Sequence, residues 1–130
     1  VPISLHPDLD PGAHLALGAA LAPLRREGIL LIGSGMSYHN MAILIRQPET
    51  NGAGDAFDAW LRDACVADPD ARNRHLAAWH QAPGASHAHP RAEHLLPLHV
   101  IAGAAGADPG LCIYRDRVLG APVSAFQFAS

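Results

Sequence analysis

The 130-residue chain has few charged, aromatic or cysteine side chains. Charged residues make up 16% of it and aromatic residues 5%, whereas 49% of its residues are hydrophobic. This composition is typical of one globular domain and excludes an intrinsically disordered one. Its nine Lys and Arg residues are scattered and its formal net charge is −3, so no basic stripe is available for nucleic acid or an anionic membrane. We therefore expect neither as a partner.

Two cysteines, Cys65 and Cys112, lie too far apart in sequence for a zinc knuckle or a redox motif, which favours a reduced, cytoplasmic protein. No apolar run reaches membrane-spanning length, and no basic segment followed by an apolar one opens the chain. The chain begins with an apolar, strand-like segment, residues 1–5, and has no initiator methionine. We therefore expect that it starts within a longer protein.

The first third of the chain predicts a β-α-β order, which is typical of an α/β fold. Residues 1–5 and 29–32 are short apolar runs, and the second suits a strand that is covered on both faces. Between them, Asp10 and Pro11 provide an N-cap and a first turn, and Gly28 provides a stop signal for a helix. Pro23 is expected to kink this helix or to split off its last turn.

A glycine-containing turn at residues 33–35 is predicted to follow the second strand and to deliver His39 to the sheet's edge, where α/β folds bind ligands. The segment is not a dinucleotide fingerprint, because Tyr38 stands where the third glycine belongs. It is not a nucleophile elbow either, because Ser34 is flanked directly by glycines. The candidate chemical group that remains is His39, although a single histidine that merely hydrogen-bonds its loop is the simpler interpretation.

The rest of the chain predicts helices, loops and two further strands. The expected helices cover residues 40–46, a segment from Asp55, a segment from Asp68 and residues 91–105, the last buried and interrupted or bent by Pro97. The expected loops are residues 47–54 and 81–89, and the expected strands are residues 111–114 and 123–128.

Histidine is abundant: the chain has nine, and five of them lie between His80 and His99. Such clustering is compatible with metal binding. Glu93 and His94 are expected in the first turn of the buried helix, where an ionisable pair needs a partner or a metal. For His99, in the apolar part of that helix, a hydrogen-bonded core histidine is the simplest interpretation.

Two long motifs carry a resemblance to a known family. The segments GILLIGSGMSYHNM (residues 28–41), with PLRREG before it, and HPRAEHLLPLHVIAGAAG (residues 89–106) resemble the C-terminal half of class III extradiol ring-cleavage dioxygenases. The similarity is greatest to the catalytic subunits of the DOPA-dioxygenase-like branch. It implies a three-layer α/β/α sheet with flanking helices, of which residues 1–130 form only the C-terminal part of a single domain, the N-terminal half being absent.

The resemblance also implies the chemistry, which is the Fe(II)-dependent cleavage of a catechol-type ring by O₂. It makes His94 a metal ligand and His39 the acid/base residue. Glu93 is the alternative ligand, but adjacent helical residues point about 100° apart, so we assign it to a supporting position. The other expected substrate-binding or supporting residues are Ser34, Asn40 and His89, and for His89 a structural role is favoured.

The chain departs from the family in length. Two further metal-ligand histidines belong to the N-terminal half, and His6 and His14 lie in the wrong context to replace them. We therefore expect the chain alone to be inactive and to need the missing half or a second chain, and zinc could replace iron in the isolated protein. The alternatives are a non-catalytic dioxygenase-like binding or assembly module and a histidine-rich metal-storage protein.

Overall fold

A computed structural model describes residues 1–46 and 52–129 and shows a mixed α/β fold, which confirms the predicted class. Within these residues none of the helices is long and apolar enough to cross a membrane. The elements are α1 (Pro11–Arg26), α2 (Met41–Arg46), α3 (Ala53–Val66), α4 (Pro69–Ala77), a 3₁₀ turn (Trp79–Gln81), α5 (Ala85–Ala88), α6 (Leu96–Ala105), β1 (Gly110–Val118) and β2 (Ala121–Phe128).

Helix α1 begins and ends where the sequence predicts. The Asp10 carboxylate accepts a hydrogen bond from the Ala13 N–H, and Gly28, at φ 79°, follows the C-cap. The helix continues through Pro23 to Arg26, so its last turn is not split off. Its partner is α6, which it crosses closely: a Cβ at Gly18 would strike the Val100 carbonyl, and one at Gly103 would strike that of Leu15.

The two strands form an antiparallel hairpin. Its connection is two residues long, and both of them, Leu119 and Gly120, have positive φ (50° and 84°), as a tight hairpin turn of the right twist requires. Residues 110–118 pair with residues 121–128, with an irregularity between Cys112 and Tyr114. The predicted strands 111–114 and 123–128 are therefore both present, and both are longer than predicted.

A buried arginine joins the helical layer to the hairpin. Arg72 of α4 is fully buried, and its guanidinium donates to the carbonyl oxygens of Ala102, Gly106 and Asp108 around the end of α6. It also lies over the Phe128 ring, 5.1 Å from the centroid. These bonds satisfy carbonyls that a helix end leaves without a partner.

Two predicted strands are not formed within the described residues. Residues 1–5 and 29–32 pair with no neighbouring strand, and Leu30 and Ile32 are 80% and 78% exposed rather than covered on both faces. A strand needs a partner for its backbone groups, and the described part of the chain places none beside them. The predicted turn at residues 33–35 is also wrong, because the backbone bends at Ser37 instead.

Several boundaries and one loop also differ from the prediction. The last helix begins at Leu96 rather than Arg91, because Pro97 lies in its first turn, where a missing N–H costs nothing, instead of interrupting it. The predicted loop 81–89 contains the short helix α5. Of the predicted loop 47–54, residues 47–51 lie outside the described residues, and α3 begins at Ala53.

Candidate active site

The structure brings together the two histidines to which the sequence assigns separate roles. The rings of His39 and His94 are stacked, with centroids 3.5 Å apart and planes inclined by 19°. They come from segments more than fifty residues apart, so this contact is tertiary. Two titratable rings are thus in direct contact.

Backbone hydrogen bonds fix the segment that carries His39 to the segment that carries His94. The Met36 N–H donates to the His94 carbonyl, and the His39 N–H donates to the Ala88 carbonyl, each at 2.9 Å. These main-chain contacts fix the two backbone segments from which the stacked rings project.

Glycine makes this approach possible. A Cβ at Gly35 would strike the His94 carbonyl, and one at Gly33 would strike the Pro97 carbonyl and the Ile101 side chain. Neither glycine has a positive φ. Their function in the fold is thus close approach of two backbones, not the tight turn that the sequence predicts.

His94 is half-exposed, and this corrects its predicted burial. It lies with Glu93 in the turn before α6, and both side chains are 41% exposed. The Glu93 carboxylate is 3.8 Å from His94 Nε2 and 3.2 Å from an Arg91 guanidinium nitrogen. Glu93 is therefore an exposed neighbour of His94 that is shared with Arg91, and the argument from a buried ionisable pair does not apply.

The environment of His39 favours its neutral form. Burial lowers the pKa of His39, and the adjacent His94, which is positive when protonated, lowers the pKa further. A neutral imidazole can accept a proton at neutral pH, which is what a general base requires.

His89 is buried behind the stacked pair. Its Nε2–H donates to the Ser37 carbonyl at 2.9 Å, and its ring meets those of Phe57 and Trp79 edge-on. Burial lowers the pKa of His89 to about 4, so the ring is neutral at neutral pH. These contacts fit the structural role that the sequence favours for His89.

The other candidate side chains have partners or positions away from the pair. The side chain of Asn40 donates from Nδ2 to the His87 carbonyl at 2.7 Å. The main-chain carbonyl of Asn40 accepts from the Leu44 N–H, at the start of α2. Ser34 is exposed and does not line the groove described below. His14 is buried and bonded to the Asp10 carbonyl and the His6 N–H, which is a structural arrangement.

Sequence reasoning missed a buried polar chain beside the site. The Ser124 N–H donates to Ser37 Oγ at 2.8 Å, and Ser124 Oγ donates to the Asp58 carboxylate at 2.6 Å. Ser37, Asp58 and Ser124 are 8%, 3% and 6% exposed. Because they lie on three distant segments, no spacing in the sequence signals the connection.

A groove of about 670 Å³ opens next to the stacked pair. His94, Gly35 and Ser37 lie along it, and its remaining walls are largely apolar, formed by residues 28–33, the outer face of α6 and residues 124–129 of the hairpin. An apolar groove with a few polar groups at one place is the usual form of a small-molecule site. No group of three or more His, Cys, Asp or Glu residues able to hold a metal is found in residues 1–46 and 52–129.

A mixed α/β fold with paired histidines beside an apolar groove defines a candidate enzyme site. The chain belongs to the family of the catalytic LigB subunit of aromatic ring-opening dioxygenases, whose family model matches residues 1–121. Among individual proteins, it is similar to the 4,5-DOPA dioxygenase extradiol of Beta vulgaris (40% identity over 110 residues) and of Mirabilis jalapa (38% over 112 residues). The matches cover 82% of this chain but only 39% and 40% of those relatives.

The fold is similar to that of a solved structure. An uncharacterized protein from Escherichia coli K12 superposes with a TM-score of 0.79 at 24% sequence identity, over 92% of this chain and 50% of that one.

The dioxygenase tasH of Hapsidospora irregularis is 32% identical and is matched over 40% of its length. The chain thus spans less than half the length of these curated relatives.

Proposed function

We propose that this chain forms one part of the active site of an extradiol dioxygenase, which cleaves a catechol-type ring with O₂. The observation that carries the proposal is the stacked His39–His94 pair, of which His94 lines an apolar groove, in a chain that belongs to the ring-opening dioxygenase family. Its two histidines have the surroundings that two different roles require.

His94 fits one position of a metal site. Its ring lines the groove and is half-exposed, so a nitrogen atom is accessible to an ion, and imidazole is a ligand for Fe(II) and for Zn²⁺. The described residues form no three-ligand set around it, so the other ligands would come from outside the described part of the chain. When bound, Fe(II) would supply the Lewis acidity and redox chemistry that activate the catechol and O₂, and zinc could occupy the site in isolated protein.

His39 fits the acid/base role. Its lowered pKa keeps the imidazole neutral near pH 7, so it can accept a proton from a catechol hydroxyl at the histidine end of the groove. The backbone N–H of His39 donates to the Ala88 carbonyl, and the His39 ring stacks on His94. Together these contacts restrict where the ring can lie. A base held in place before the substrate arrives needs little reorganisation during reaction.

The groove would bind the aromatic ring at its histidine end and the rest of the protein along its apolar length. Leu30 and Ile32 are about four-fifths exposed, and Leu111 and Ile113 of β1 are also exposed. Apolar surface of this extent normally marks an interface. We therefore propose that the chain is the C-terminal part of a longer domain and that the remaining part, or a second chain, covers this surface.

The test uses the complete protein, meaning these residues together with the portion that the curated relatives have in addition. Loaded anaerobically with Fe(II), it is expected to consume O₂ when a catechol is added and to form a product that carries both atoms of O₂, measured by mass spectrometry. A phenol with a single ring hydroxyl should give neither result. Binding of a catechol without oxygen uptake would favour a non-catalytic module. Several ions bound per chain, measured by elemental mass spectrometry, would favour metal storage.

A further inference from the structure

We propose that Asp58 and Ser124 are positioning residues that hold His39 against His94 through Ser37. The proposal rests on the proposed function, because it assigns a purpose to the placement of His39. The three residues form the buried polar chain described above, here called the Ser37–Ser124–Asp58 chain. It joins the segment of His39 to the hairpin and to α3.

Asp58 is the anchor of this chain. One carboxylate oxygen accepts from Ser124 Oγ at 2.6 Å, and the other accepts from Arg62 Nε at 3.0 Å, with Arg115 Nε 3.7 Å away. Its side chain is only 4% exposed. A buried carboxylate is tolerated when both its oxygens have partners, and these partners come from α3, β1 and β2. Asp58 therefore fixes the position of Ser124 relative to the helical layer.

Ser37 receives that constraint on its side chain and a second one on its backbone. Its Oγ accepts from the Ser124 N–H, and its carbonyl accepts from the buried His89 ring. The bend of the chain lies at Ser37 itself. These two bonds thus set the direction in which the backbone leaves this bend.

Little freedom remains between Ser37 and His39. Tyr38, the residue between them, is 1% exposed, and its hydroxyl lies 3.0 Å from His87 Nε2. A shift of Ser37 is therefore transmitted to His39 rather than absorbed by a flexible link. Since a displacement of about 1 Å in a reacting group can lower the rate on the order of 10²-fold, the chain is placed where it can control turnover.

The test measures steady-state kinetics and iron content of the complete protein. Ser37→Ala removes the acceptor for the Ser124 N–H, and Ser124→Ala removes the donor to Asp58. Both variants are expected to lower kcat roughly 10- to 100-fold, with KM and bound iron within about 2-fold of wild type. Ser124→Thr keeps the hydroxyl and is expected to recover most of the lost kcat. Asp58→Asn, which keeps an acceptor for Ser124, serves as the milder variant if an alanine variant does not fold.

Two controls separate positioning from a general loss of stability. Ser86→Ala changes an exposed serine of α5 and is expected to leave kcat unchanged. Leu76→Val removes one buried methylene in α4 and is expected to lower the melting temperature without affecting kcat. The proposal is overturned if folded Ser37→Ala and Ser124→Ala keep wild-type kcat, if they lose iron together with activity, or if Leu76→Val loses as much kcat.

Amide hydrogen exchange keeps this test independent of the proposed function. The His39 amide, bonded to the Ala88 carbonyl, is expected to exchange at least about 10-fold faster in Ser37→Ala than in Ser86→Ala. If the wild-type protein shows no ring cleavage, the proposed function fails. The exchange rates then decide the positioning role: faster exchange in Ser37→Ala supports it, and equal rates overturn it.

Discussion

His39 and His94 have the same side chain but different surroundings, and at the scale of the residue the two proposed roles rest on this difference. His94 lines the groove and is half-exposed. The backbone N–H of His39 donates to the Ala88 carbonyl, and the pKa of its ring is lowered. A ligand needs an accessible lone pair, and a base needs a neutral ring at the working pH. Each histidine meets one of these requirements.

Replacing His94 should remove the metal. In the complete protein, His94→Ala is expected to lose most of its bound iron and nearly all ring cleavage, because a three-ligand site that loses one imidazole no longer competes well with water for Fe(II). Elemental analysis after dialysis measures this, with His75→Ala, an exposed histidine of α4, as the matched control. If His94→Ala keeps stoichiometric iron at wild-type affinity, the ligand is misassigned and Glu93 becomes the candidate.

Replacing His39 should leave the metal in place. His39→Ala is expected to bind iron as the wild type does while kcat falls about 10²- to 10⁴-fold, the usual contribution of a general acid–base group. Iron content and single-turnover rates, measured on the same preparation, separate the two effects. A loss of iron that parallels the loss of turnover would contradict the assignment.

Two buried histidines should make stability depend on pH. Burial lowers the pKa of both His89 and His99 to about 4, and each donates from Nε2 to a carbonyl. Because the folded state binds fewer protons than the unfolded one, whose histidines titrate near pH 6.5, the stabilisation is complete above about pH 6.5 and decreases as the pH falls towards 4. The loss is on the order of 3 kcal/mol for each histidine.

Chemical denaturation between pH 7 and pH 4 measures this slope. His99→Gln can still donate to the Leu76 carbonyl. Over that pH range it is expected to lose less stability than wild type, and the difference should be about the contribution of one histidine. An unchanged slope in the variant would show that His99 titrates normally in the folded protein.

At the scale of the element, the segment of residues 33–36 lies directly on the backbone before and within α6. Gly35→Ala should force this segment away from the His94 carbonyl and lower the free energy of unfolding by about 1–3 kcal/mol, as overpacking does. Gly12→Ala, in the first turn of α1 with only the Asp10 carboxylate nearby, is the control and should be neutral or stabilising. Denaturant unfolding of both variants provides the comparison. Equal effects would mean that the close approach is relaxed in solution.

Elements with local signals can be predicted from the sequence, and elements that depend on distant partners cannot. Asp10 and Gly28 specify the ends of α1 by themselves. Pro97 is compatible both with an interrupted helix and with a first turn, so the sequence places the start of α6 too early. Residues 29–32 have a strand-like composition, but whether they are covered depends on neighbours that no local pattern describes.

The same division holds for the site. A motif singles out His39 and His94, whereas their stacking, the exposure of His94 and the contacts of Asp58 and Ser124 arise across fifty or more residues. Ser34 is a candidate through the resemblance, whereas the glycines on either side of it serve a backbone contact and its side chain is exposed. Long-range contacts therefore account for most of what the sequence does not reveal.

At the scale of the whole molecule, the exposed apolar surface is the dominant feature. The chain spans about 40% of the length of its curated relatives, and the apolar residues Leu30, Ile32 and Ile113 are exposed beside the groove. Strand-like segments without a pairing partner and with exposed apolar side chains favour association. We expect the isolated 130-residue chain to self-associate, which sedimentation velocity measures, and the complete protein to have this surface covered.

The central claim is that this chain supplies only part of a metal-dependent site, and anaerobic calorimetric titration with Fe(II) tests it most directly. The isolated chain is expected to show no tight binding, because His94 alone cannot fix a coordination geometry, while the complete protein binds one Fe(II) per site. A tight one-to-one site in a monodisperse monomer of the 130-residue chain would contradict the account and show that its own histidines suffice.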